Sequence, residues 1–354
     1  MLELGLDTFG DVTRTADGNL EPQAQVIRNV VKQAALADEL GVDFIGVGEH
    51  HRADFAVSAP EIVLAAIAGQ TNRIKLGSAV TVLSSDDPVR VFQRFSTLNA
   101  VSSGRAEVIL GRGSFIESFP LFGYSLEDYE ALFEEKLEIF ASLIENDRRG
   151  KPVTWQGSTR APLTNQRVYP STEGGFTTWV GVGGSPESVV RAARHNMRLM
   201  LAIIGGNPRR FQPYVILYRQ TLAELGFAEL PVGVHSPGFV AETDEEARET
   251  LWPAWREMRN RIGAERGWGP TSREEFESEI ERGSQYTGSP ETVARKIAAT
   301  VKALGLSRFQ LKYSSGPLGH DAMMRSIELY GRQVIPRVRE LLDQPEPRGI
   351  LRSA

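Results

Sequence analysis

Three adjacent ionisable side chains, Glu49-His50-His51, follow the apolar run Phe44-Ile45-Gly46-Val47 after a single glycine, Gly48. Histidine titrates near neutrality, so histidines at a strand end, backed by a carboxylate, can hold, give or take protons. Metal ligation is a second chemistry open to the triplet, because His and Glu bind zinc and iron. No H-x-H or H-x-x-x-H spacing accompanies it, and a loop pair bonded to nearby backbone is the plain alternative. Two of the five histidines stand here; the others are His195, His235 and His320.

Two further segments have the make-up of anion sites. Gly111-Arg112-Gly113-Ser114 sets a guanidinium among open backbone amides. Val182-Gly183-Gly184-Ser185-Pro186 leads into a helix whose first amides and dipole suit a phosphate, with Ser185 as the expected N-cap. A Gly-rich turn with no ligand at all is the bland reading of the same residues. The spacing departs from G-x-G-x-x-G, which argues against a dinucleotide and for a mononucleotide phosphate on two Gly-rich edges. The small residues Gly77-Ser78-Ala79 admit a flat ligand against the backbone, or simply a tight barrel interior. Asp86-Asp87 before Pro88 reads as a helix N-cap, not a catalytic pair.

A strand-helix rhythm must position these segments. Strands are expected at 2–8, 43–48, 74–83, 106–111, 177–182, 198–204, 231–241 and 308–313, each followed by a helical pattern. Eight such pairs predict an α/β fold, a (β/α)₈ TIM barrel forming one domain over residues 1–354, in preference to an open doubly wound sheet. All three segments then fall at the C-terminal strand ends, where such sheets bind ligands. The rhythm breaks twice. Residues 151–176 read as a hairpin-like insertion after strand four and a candidate wall of a substrate pocket, its basic excess pointing to an anionic group. Residues 266–288, with four glycines and dense charge, follow helix seven and are either a solvated surface excursion or a candidate lid.

Composition narrows the classes further. A net charge of -5 and a pI near 5.7 give no reason to expect nucleic acid. No apolar run reaches the roughly eighteen residues of a membrane span. The absence of cysteine excludes thiolate catalysis and disulfides, and fits a cytoplasmic protein. The helix carrying Ile62-Val63-Leu64-Ala65-Ala66-Ile67-Ala68 is apolar nearly all round, so a homodimer is expected.

Together, Glu49-His50-His51, Gly77-Ser78-Ala79-Val80 through Pro88-Val89-Arg90, Ser103-Gly104-Arg105 through Gly111-Arg112-Gly113, and Thr287-Gly288-Ser289-Pro290-Glu291 resemble the bacterial luciferase-like flavin monooxygenase family. The resemblance runs over nearly the whole chain. It implies a barrel holding FMN at the C-terminal strand ends, with Arg112, Gly113 and the Gly183-Gly184-Ser185 turn at the phosphate. Ala79, Val80 and Thr81 would line the flavin, at a place where the family often has a non-prolyl cis peptide. His50 matches the family's catalytic histidine, with Glu49 and His51 supporting it.

The implied chemistry spends reduced FMN and O2 on a small organic substrate, one oxygen atom leaving as water, with a separate flavin reductase supplying the cofactor. No metal is implied. The luciferases proper place an acid and a serine where this chain has Gly183-Gly184-Ser185, so light emission is not carried over. Three alternatives stand beside this reading: a hydride-transfer oxidoreductase using a deazaflavin on the same fold, a non-catalytic flavin-binding protein, and a metal-dependent hydrolase. The deazaflavin's longer acidic tail would ask for more basic residues than Arg112 alone.

Overall fold

The computed structural model describes residues 2–113, 115–172 and 174–344. Eight parallel strands, which we number one to eight, close into a barrel: Glu3–Thr8, Phe44–Val47, Lys75–Ser78, Ala106–Gly111, Thr177–Val182, Arg198–Ala202, Val232–Val240 and Arg308–Lys312. Each pairs with its neighbour in sequence, and strand eight returns to strand one through Glu3↔Arg308 and Asp7↔Lys312. Closure of the ring is the feature that counting strands leaves open.

Buried aliphatic residues on the outward faces of the strands pack against the surrounding helices in one continuous core. Helix starts carry the caps their sequences call for. The Asp87 side chain accepts from the amides of Val89 and Arg90, and Thr243 accepts from that of Glu246.

Inside the barrel the side chains form layers. At the N-terminal end the fully buried Arg308 grips Glu107 through two bonds of 2.6 and 2.9 Å and Glu3 through two more, Nε at 2.7 Å and Nη2. Above this charged plug, Phe44, Ile109, Trp179 and Met200 make an apolar plate, and the Arg308 guanidinium lies 4.4 and 4.6 Å from the Phe44 and Trp179 rings. From there to the C-terminal rim the inward positions are mostly small, and a cavity opens.

Two expectations need correction. The continuous strand at 74–83 ends at Ser78. The peptide Ala79–Val80 is cis, and a short strand, Thr81–Val82, then pairs with the end of strand four instead. The expected break at 266–288 is largely ordered. Helix Asp244–Arg266 runs into it, helix Arg273–Glu281 occupies its middle, and Tyr286–Gly288 pairs in parallel with the end of strand seven. Only residues 267–272 lie between the two helices. The 151–176 insertion is a two-stranded hairpin, Val153–Trp155 against Leu163–Gln166, as its spacing suggests.

Candidate active site

The cavity at the C-terminal end of the barrel has a volume near 330 Å³, within the range of small-molecule pockets at about 300–1,000 Å³. Its wall is apolar where Phe9, Val80, Ile109, Val182, Met200 and Ile204 stand, and its polar groups converge from several strand ends. A larger recess of about 800 Å³ opens at the opposite end of the barrel, lined by Lys75, Glu107, Arg148 and Arg198. We assign function to the smaller one, because the C-terminal face is where barrel loops gather reactive groups and the charged plug closes the other. Among the described residues, none of the 151–176 segment lines the cavity. Its Arg160 is instead spent on Asp87, at 3.2 Å.

Of the residues singled out in the sequence, Glu49, His50, Ala79, Val80, Arg112, Gly113 and Gly183 line this space. His51, Thr81, Gly184 and Ser185 do not. His51 turns to Glu49, Nε2 to Oε1 at 2.9 Å, and its ring meets the edge of Phe122. The other Glu49 oxygen accepts from the Val82 amide at 2.8 Å. Glu49 therefore ties the end of strand two to the turn after the cis peptide, and His51 anchors Glu49. Among the described residues no three metal-binding side chains are grouped.

His50 sits in an aromatic nest. Its ring stacks on Phe55 at 4.4 Å and meets the edges of Phe9 and Phe115 at 4.7 and 5.2 Å. The Arg52 guanidinium lies 4.5 Å from the Phe115 ring and bonds Glu265 at 2.8 Å, so the end of helix Asp244–Arg266 closes over the same nest. Burial pushes the His50 imidazole down to about 3, against the opposing pull of Asp11. A neutral ring in the folded state and an ordinary histidine in the unfolded one mean that acid favours unfolding, because the unfolded chain binds the extra proton. This contribution is complete above the unfolded value near 6.5 and is lost as pH falls toward 3. Between pH 7 and pH 5 it amounts to roughly 2 kcal/mol. Urea titrations at the two pH values should show that loss, and His50→Gln should remove it; an equal loss in the variant would refute the neutral assignment.

The anion donors are richer than the sequence suggested. From the end of strand four Arg112 reaches the Ser188 hydroxyl at 3.2 Å and pairs with the Glu130 carboxylate, while its guanidinium lies 5.2 Å from the Tyr129 ring. Arg191, one turn along helix Pro186–Arg194, reaches the same carboxylate at 3.2 Å and the same hydroxyl at 3.4 Å. Ser185 is consumed as the cap, accepting from the Ser188 amide at 3.2 Å, and Ser188 is the hydroxyl that faces the cavity. A Cβ added to Gly183 would meet nothing within 4 Å, so open space lies beside this donor set. Two arginines already share one carboxylate, Glu130, and one hydroxyl, Ser188, beside a helix N-terminus. That is donor chemistry suited to a phosphate. Arg191, Ser188 and Glu130 escaped sequence reading because each serves equally well on an exposed helix face.

Gly111 has a different reason to be glycine. A Cβ there would stand 2.6 Å from the Val80 side chain. The turn after the cis peptide can press on strand four only because that strand is bare at this point.

Comparison with known proteins places these features in a group. The model of the luciferase-like monooxygenase family matches residues 8–308. The 4-hydroxyprotoasukamycin monooxygenase of Streptomyces nodosus subsp. asukaensis is 27% identical over 325 residues, covering 86% of this chain and 85% of that one. Among solved structures, the oxygenating constituent of 3,6-diketocamphane monooxygenase from Pseudomonas putida, in complex with FMN, is similar with a TM-score of 0.75 and 21% identity. It covers 96% of this chain and 99% of its own. The coenzyme F420-dependent tetrahydromethanopterin reductase of Methanopyrus kandleri gives a TM-score of 0.70 and 17% identity, covering 95% and 99%. At those identities the two structures speak for the fold alone.

Proposed function

The chain belongs to the luciferase-like monooxygenase family, and on that premise we propose that its C-terminal cavity holds FMN and that reduced FMN and O2 serve there to oxygenate a small organic substrate. It is an oxidoreductase, and the proposal concerns its cofactor, its substrate and its residues. The observation that carries the reading is that Arg112 and Arg191 meet at the Ser188 hydroxyl and hold one anion, the Glu130 carboxylate, beside open space at Gly183. Reduced flavin, when bound, supplies the electrons that activate oxygen. A separate reductase would deliver it.

The chain's own residues supply the surroundings. Arg112, Arg191, Ser188 and the amides of the turn at Gly183 and Gly184 hold the phosphate, with Gly113 completing the strand-four edge and Ser185 setting the helix start. Ala79 and Val80 offer a flat wall for the ring system, fixed from behind by Glu49 through the Val82 amide; Thr81 holds that segment to strand four. Phe9, Phe55 and Phe115 exclude water around His50. His50, held as a neutral imidazole, gives or accepts a hydrogen bond or takes up a proton at the reacting atoms. Residues 267–272, next to the helix end that Arg52 fastens, are the part of the expected lid left to move.

Oxygen uptake with reduced FMN, followed across a substrate panel, tests the function. Product formation coupled to uptake is the expected result, and uptake with no oxygenated product from any substrate would favour a flavin-binding protein without catalysis. His50→Ala should slow the coupled reaction about a hundredfold, the cost of one well-placed hydrogen-bonding group. Unchanged turnover would remove His50 from the site.

Arg191 bears on the deazaflavin alternative. The longer acidic tail of that cofactor asks for more cations than Arg112 alone, and the structure supplies a second one at the same place. A spectrum of the protein as purified, with affinities for both cofactors, separates the two readings. For assembly we propose a homodimer, supported by a shallow groove between helices Pro60–Ala68 and Pro88–Val101, where Ile62, Val101 and Tyr169 are exposed. Sedimentation of wild type against Ile62→Asp should give a dimer and a monomer; a wild-type monomer would overturn it.

A further inference from the structure

A second histidine faces the cavity from strand seven, away from the phosphate donors after strands four and five. His235 stands on strand seven, nine-tenths buried, and its Nδ1 lies 2.8 Å from Oδ2 of Asp7 on strand one, a carboxylate with no exposure at all. A carboxylate can only accept, so Nδ1 carries the hydrogen and Nε2 is left for the cavity that the ring lines. Beside it, in register on strand eight, is Gln310. Gln310 is fully buried and lines the same cavity, and neither its amide oxygen nor its nitrogen has a partner among the described residues. A buried amide left unpaired is costly, so both groups ask for a polar visitor. The surrounding wall, Phe9, Ile109, Met200 and Ile204, is apolar.

We propose that the Asp7–His235 pair, with Gln310, receives an acidic hydroxyl, phenolic or enolic, at the deep end of an otherwise apolar planar substrate. The inference deepens the oxygenase reading above and rests on it. On binding, the substrate O–H bond breaks and an N–H bond forms at His235 Nε2. The electron pair stays on the substrate oxygen, so nothing is oxidised or reduced. The resulting imidazolium is backed by the Asp7 carboxylate, and the Gln310 amide nitrogen donates to the oxyanion. An electron-rich phenolate or enolate is the form of such a substrate that an electrophilic oxygen donor attacks most readily. His235 thus acts on the substrate, while Asp7 is a positioning residue. The other charged groups near the ring are met through Phe9, which stacks on His235 at 5.8 Å. Phe9 carries the Lys312 ammonium at 4.6 Å, itself paired with Asp11 at 3.0 Å, and touches the His50 ring.

The probe for this is 4-nitrophenol, whose neutral and ionised forms absorb at different wavelengths. It is added to the protein loaded with oxidised FMN, below the probe's own ionisation midpoint. Wild type should bind it as phenolate. His235→Gln should bind it in the neutral form, the phenolate fraction falling about tenfold or more, the effect of removing an adjacent opposite charge. Gln310→Leu should weaken probe binding and leave FMN affinity within threefold; a loss of FMN affinity with probe binding kept would assign Gln310 to the cofactor and overturn its role here. Phenolate bound equally by wild type and His235→Gln, or no binding to the loaded wild type, overturns the proposal.

FMN affinity is measured separately for each variant, so a protein that fails to bind FMN refutes the cofactor reading and not this one. In that event the protein without FMN still decides. Nitrogen-resolved NMR of His235 should show Nδ1 protonated and Nε2 bare, and Asp7→Asn should change that pattern. A bare Nδ1 in wild type would overturn the pairing.

Discussion

Replacing Arg308 with methionine should lower the folding free energy by about 3–5 kcal/mol, the cost of stripping one partner from a buried ion pair. Arg308 has no solvent exposure. It supplies two hydrogen bonds to Glu107, which is 3% exposed, and two to Glu3. Trp179 Nε1 donates a further bond to Glu107 at 2.9 Å, and Lys75 approaches that carboxylate only to 3.8 Å. Methionine keeps the length and the contact with Phe44 and Trp179, so the loss reads the uncompensated Glu107 charge. Adding Glu107→Gln should restore a good part of it. Urea midpoints of the three proteins measure this, and a single variant within 1 kcal/mol of wild type would show that the plug does not support the cavity floor.

Arg112→Ala should weaken FMN about a hundredfold. Each hydrogen bond between a guanidinium and a phosphate is worth about 1.5–3 kcal/mol, and Arg112 is placed to make two of them. Removing roughly 3 kcal/mol is about two powers of ten in affinity. Arg191→Ala should cost less, since it approaches the anion position at 3.2 Å from the outer side of a helix turn and also pairs with Glu134. Glu130→Gln should run the other way and tighten FMN a few-fold, because the carboxylate that the two arginines now hold competes with the phosphate. Fluorescence titration with FMN gives all three. An Arg112→Ala protein binding as well as wild type would remove the phosphate assignment.

The sequence made the barrel legible because its strands are short, apolar and evenly interrupted by helical patterns, and because Asp87, Ser185 and Thr243 mark helix starts chemically. It misled where local pattern and tertiary pairing disagree. The run Ile74–Leu83 reads as one strand, yet Thr81 and Val82 pair with strand four. Charge and glycine in 266–288 suggested a loop, although Ser272 and Glu275 form a capping box that announces the helix from Arg273.

The site was half legible. His50, Arg112 and Gly183 stand at strand ends, where position alone raises the odds of function. His235 and Gln310 lie inside strands, and their significance appears only when strands one, seven and eight are brought together. Asp7, which holds His235 from 228 residues away, carries no local signal. Arg191 and Ser188 look like ordinary solvated helix residues until Arg112 meets them.

The most direct test of the flavin phosphate site is the affinity of the wild-type protein for FMN against riboflavin, which differs from it by the phosphate alone. FMN should bind about a hundredfold or more tightly, the contribution of the Arg112 contacts, and Arg112→Ala should bring the two ligands close together. Equal affinities in the wild type would contradict a phosphate site at Arg112 and Ser188, and with it the assignment of the cavity to FMN.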